Sequence, residues 1–156
     1  MKLKDLTVLV QGQAGTAGFP MFATAGLVIA LAVPTLGAWP TKKVKALEMR
    51  AKTEAGATAM VWLKCEDLAA GKVDSSVKAK YSTDELCAWA AAAGASDGDL
   101  VCVFAGAAGK MADKTREVCG KWRHIMGAEL GYRDTGFNAL WVVNFPLLEW
   151  NPDEER

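Results

Sequence analysis

The chain has 156 residues, half of them hydrophobic, and its 18 Lys and Arg against 18 Asp and Glu give a formal net charge of zero. That is one domain's worth of chain, long enough to bury most of its apolar surface. The balance excludes a globally basic nucleic-acid binder and a globally acidic one, so any electrostatic partner must meet a local patch.

The first segment, LKDLTVLV from Leu3 to Val10, fits a short helix or a strand, and the glycines of GQAGTAG then break it. No charged residue lies between Asp5 and Lys42. The unbroken apolar run inside that stretch is Met21 to Val33, with Thr24 and Gly26 within it. A spanning helix needs about 20 consecutive apolar residues, so a run of this length points to a buried core segment. Pro20 and Pro34 bracket it and disfavour helix at the residue before each. An export signal would place its apolar region behind a purely basic start, whereas Asp5 and a glycine-rich stretch intervene here. The expectation is therefore no membrane span, with FPMF and LVIALAV as two short strands and PTLGAWP as a turn.

From Thr41 to Ala55, Val44, Leu47, Ala51 and Ala55 recur at helical spacing among lysines, and Gly56 is a natural stop. TAMVWLKC reads as a buried strand, EDLAAGKVDSS as a polar connection and VKAKYS as a short alternating strand. Ser82 and Glu85 form a capping box that opens a helix from Thr83 to Ala93. After the loop GASDGD, LVCVFA is a strand rich in branched residues. A long helix follows over roughly Met111 to Leu130, closed by Gly131. Its apolar face is Met111, Thr115, Val118, Cys119, Trp122, Ile125 and Met126. ALWVVNF reads as a last strand. Mixed elements without regular βαβ units predict an α+β two-layer domain, with helices on one face of a largely antiparallel sheet.

Few residues suggest chemistry. VCVFAGAAGKMAD has the strand, glycine loop and helix of a phosphate-binding loop, but Phe104 stands at the first Gly position and Met111 at the magnesium-binding hydroxyl. His124, the single histidine, falls on the charged helix face without a nucleophile motif around it. Glu66 with Asp67, and Asp97 with Asp99, suit turn formers and caps. Cys65, Cys87, Cys102 and Cys119 lie 22, 15 and 17 positions apart, which is no zinc-site spacing, and they are expected to be unpaired. No catalytic, cofactor or metal residue emerges. The one functional feature is the basic face of the long helix, Lys110, Lys114, Lys121 and Arg123, which could meet an RNA phosphate backbone.

Five stretches in order resemble one family. DLVCVFAGAAGKMADKTREVCGKWRHIMGAELGY and ALWVVNFPLLEW resemble a segment of bacterial aspartyl-tRNA synthetases, where the second returns the chain to the catalytic domain. AGATAMVWLKC, VKAKYSTDELCAW and the stretch from Lys4 to Pro34 resemble earlier parts of the same segment. The match runs from about Lys4 to Trp150 and resembles the GAD domain of these synthetases and of the B subunit of a tRNA-dependent amidotransferase. Asn144 replaces the family's Asp in its DFP motif, and the spacing around Gly26 and from Thr35 to Pro40 differs. The resemblance implies a GAD-like domain over residues 1–150, including the strand leading back to the catalytic core, then an acidic tail over 151–156. It also implies an accessory cytoplasmic module, without ATP- or aspartate-binding motifs of its own, that packs beside a synthetase catalytic domain and touches tRNA weakly. The competing expectation is a free-standing interaction or scaffold domain with another protein partner.

Overall fold

The computed structural model describes residues 1–107, 112–133, 136, 137, 139, 141 and 143. Five strands form one fully antiparallel sheet: β1 (Leu3–Asp5), β2 (Leu27–Val33), β3 (Val61–Asp67), β4 (Lys72–Ser75) and β5 (Leu100–Gly106). Their order across the sheet is β1-β2-β5-β3-β4. The helices are α1 (Thr7–Gln11), α2 (Pro20–Ala23), α3 (Thr41–Ala55), α4 (Thr83–Ala93) and α5 (Ala112–Glu129), with a 3₁₀ turn at Ala14–Gly18. The α+β class with an antiparallel sheet is as the sequence predicts.

The centre of the sheet explains the charge-free stretch. In β2 every residue but Ala32 is buried, and in β5 every residue from Leu100 to Phe104 is. Strands that are apolar on both sides need cover on both faces. On one face Ile29, Leu31, Trp62, Cys102 and Phe104 pack beneath α3 and α5. That is the expected helical layer. The other face has its own core, in which Val28, Ala30, Leu63, Val101 and Val103 meet Trp89 and Leu86 of α4, Phe22 of α2 and Val10 of α1. The prediction of helices on a single face is thus extended by a second helical cover, because alternate side chains of the same strands point each way.

Local signals read from the sequence hold where they rest on short-range chemistry. Ser82 Oγ accepts from the Glu85 amide at 3.3 Å, while Glu85 Oε2 accepts from the Ser82 amide at 2.8 Å, the reciprocal cap. Gly56 ends α3 in the left-handed region at φ 78°, letting the Ala57 amide reach back to Ala51 O at 3.0 Å.

Three expectations are corrected. FPMF is the start and body of α2, not a strand; Pro20 sits at its N-terminus, where a fixed φ favours a helical turn. VKAKYS is a turn, with the Lys80 and Tyr81 amides both donating to Val77 O. Val77 and Tyr81 are both buried four residues apart, so the Val-Lys-Ala-Lys-Tyr pattern belongs to one helical turn rather than a pleat. The polar connection after Cys65 is a hairpin that adds β4, with a register shift between Cys65 and Asp67. The expected last strand ALWVVNF lies for the most part outside the described residues; Ala139, Trp141 and Val143 within it belong to no strand. Among the described residues no helix is long and apolar enough to cross a membrane.

Candidate nucleic-acid interface

α5 buries Cys119, Trp122 and Met126 against the sheet and leaves its charged side outward. Lys114, Lys121 and Arg123 are exposed; Lys110 lies outside the described residues. The helix brings only two of the described three together. Lys114 and Lys121, seven residues apart, stand on one flank, whereas nine residues at about 100° each carry Arg123 roughly half a turn away. Lys121 Nζ is held by Glu117 at 2.6 Å, and that contact keeps the Glu117 carboxyl below its usual range. Arg123 shares the opposite flank with Arg116.

The neighbouring helix supplies what the sequence reading missed. α3 packs beside α5, and Arg50 of α3 reaches Glu129 of α5 at 2.7 Å while also pairing with Glu54 at 2.8 Å. Together α3 and α5 carry nine Lys and Arg against five Asp and Glu. The whole chain is neutral, so the rest is correspondingly acidic and the charge is segregated onto one helical layer. Lys42 and Lys45 are exposed and have no ion-pair partner among the described residues, and Lys43 lies over the Trp39 ring at 5.3 Å. These lysines are legible in the sequence as the polar side of a helix. They stand at the start of α3, whereas Lys114 lies beside Gly56, Ala57, Thr58 and Ala59 past its other end, so the α3 lysines and Lys114 share one helical layer without forming one cluster.

The other candidates take the roles their residue types suggest. Asp67 Oδ1 accepts from the Ala70 amide at 2.9 Å, Asp97 Oδ1 from the Leu68 amide at 2.8 Å and Asp99 Oδ2 from the Ser96 amide at 2.9 Å. Asp67 and Asp99 are turn formers, and Asp97 ties its loop to the turn after β3. His124 is exposed on α5. Among the described residues no group of three His, Cys, Asp or Glu is placed to hold a metal ion. All four cysteines are free thiols, with Cys65, Cys102 and Cys119 buried and Cys87 half-buried.

Fold and surface define an α+β module on an antiparallel sheet, covered on both faces, with its positive charge gathered on one helix pair. The GAD domain family model matches residues 21–115, and the chain belongs to that family. It is similar to the aspartate–tRNA ligase of Flavobacterium psychrophilum, 39% identical over 140 residues, which cover 88% of this chain and 23% of the relative. The aspartate–tRNA ligase of Parabacteroides distasonis is 35% identical over 158 aligned positions, covering 100% of this chain and 26% of the relative. That of Bacteroides thetaiotaomicron is 34% identical, with 100% and 25% covered. The chain spans about a quarter of the length of the curated relatives it matches.

Proposed function

We propose that this chain is a non-catalytic GAD domain that serves tRNA aminoacylation as an accessory cytoplasmic module beside a synthetase catalytic domain. The observation that carries this reading is the combination of full coverage of the chain with only about a quarter of each aspartate–tRNA ligase relative. The GAD-like unit covers residues 1–150, with 151–156 as an acidic tail. Exposed Phe137, Trp141 and Val143 after α5 support contact with a protein surface, since large apolar side chains in water favour burial against a partner. The purified chain is expected to give no aspartate-dependent ATP–pyrophosphate exchange above background. Exchange that scales with the amount of chain and survives repurification would refute the non-catalytic assignment.

The RNA contact is weak and runs through the α3/α5 layer. Neutralising about three phosphates gives a log–log salt slope near −2 to −3. Lys114→Glu with Lys121→Glu is expected to reduce further the marginal tRNA affinity measured by fluorescence anisotropy at low salt. Binding that persists at high salt, or that ignores the double change, would place the RNA on another surface.

A further inference from the structure

None of the chain's 18 basic and 18 acidic residues lies between Asp5 and Lys42. Burial of β2 explains the later part of that stretch, but α1 and α2 cover the second face of the sheet and meet solvent. Of the residues described from Thr7 to Thr24, thirteen are exposed or half-buried, and none is charged. On α3, seven of the eleven such residues are charged. Val8 stands 85% exposed, Leu9 and Met21 are half-buried, and Pro20 and Ala23 are exposed. The two helices make one surface: α1 touches α2, and Gln11 Nε2 donates to Ala25 O at 2.7 Å. Val10 and Phe22, both fully buried, fix it to the core beneath. Charge returns at its margin, where Gly15 lies against Lys80 and its amide donates to Glu85 Oε1 at 3.3 Å.

Depletion of charge around apolar groups, inside a polar rim, is the pattern of the centre of a protein interface. Chemistry narrows the partner. A charged surface would lose its hydration against this face without gaining an ion pair, so the face selects a partner that is equally uncharged. Among the described residues, the same face of a second copy meets that demand, whereas α3 and α5 carry nine Lys and Arg against five Asp and Glu. Two copies related by a two-fold axis set the patch against itself, and no like charges are brought together. The zero net charge of the chain removes long-range repulsion between copies as well. Anchored from below by Val10 and Phe22, the surface is already ordered, which lowers the entropic cost of association.

We infer that the α1/α2 face is a self-association surface, through which two copies of this chain form a weak two-fold dimer. The RNA contact proposed above uses the opposite helical layer, so neither reading rests on the other. The test is sedimentation velocity of the full chain from about 10 μM to about 1 mM, the range in which a small interface becomes occupied. The average mass is expected to rise from one chain towards two. Val8→Glu and Ala23→Glu change exposed positions and leave the core intact, which far-UV circular dichroism checks. Each sets a carboxylate into the interface twice and is expected to weaken the dimer about a hundredfold, tenfold per copy. Met49→Glu, at a 62% exposed position of α3, is expected to leave the dimer unchanged. Trp141→Ser, in the other exposed apolar segment, is expected to leave it unchanged too. A chain that stays monomeric throughout, or a dimer indifferent to both Val8→Glu and Ala23→Glu, would overturn the inference. So would a dimer lost in Met49→Glu or Trp141→Ser instead.

Discussion

Replacing Trp89 by alanine is expected to lower the unfolding free energy by about 3–5 kcal/mol, the cost of truncating a fully buried aromatic. Trp89 is 0% exposed and stands edge-on to Tyr81 at 4.7 Å and to Phe22 at 5.3 Å between ring centroids. Each such pair adds about 0.5–1.5 kcal/mol beyond its buried area. The indole N–H also donates to Gln13 Oε1, and the Gly15 amide donates to Glu85 Oε1 at 3.3 Å, so the glycine-rich segment after α1 is tied to the start of α4. Gly15 admits no side chain there, because a Cβ would lie 2.5 Å from Lys80 O and from the Tyr81 ring. Domains of this size are stable by about 5–15 kcal/mol, so the substitution removes a large share. Urea titration should show the midpoint falling sharply for Trp89→Ala and less for Trp89→Phe, which keeps an aromatic ring and loses the hydrogen bond. Equal losses in the two variants would mean that the hydrogen bond, not the packing, dominates.

Alkaline conditions are expected to unfold the protein through its buried thiols. Burial pushes Cys102 up to about 12, and Cys65 and Cys119 likewise to about 12, with the Asp99 charge adding to the effect at Cys65. In the unfolded chain these thiols ionise near 9.0. The native state therefore holds more protons than the unfolded state between the two values. Stability from this source is complete below about pH 9 and is lost as pH rises towards 12. Three thiols give a slope of up to about 4 kcal/mol per pH unit within that window. Burial raises the Tyr81 phenol as well and adds a loss of the same sign. Unfolding free energies measured in steps from pH 8.5 to 11 should trace this slope. Cys102→Ala should reduce it by about 1.4 kcal/mol per unit, whatever the substitution does to stability at neutral pH. An unchanged slope in that variant would show that Cys102 does not titrate on unfolding.

How much of the molecule the sequence determined follows from the range of the interactions involved. Caps and stops are local: Ser82 with Glu85, Gly56 and the period of α3 each act within a few residues, and each stands in the structure as read. The apolar strands β2 and β5 were equally legible, because a continuous branched run needs burial wherever it lies. FPMF and VKAKYS were not, since four to six residues satisfy a pleat and a helical turn alike. What decided them was distant: Phe22 and Tyr81 meet each other and Trp89 in one aromatic cluster, and a helical turn delivers those side chains to it. The candidate surface divides the same way. The charges of α5 could be counted along the chain, but their separation onto two flanks follows from which side the sheet buries. That they share one helical layer with α3, and that Thr115 comes beside Thr58, follows only from β5 and the end of α3 being packed beside α5. Sequence periodicity assigns a residue to a face of its own element; which other element lies against that face is settled by packing between segments more than fifty residues apart.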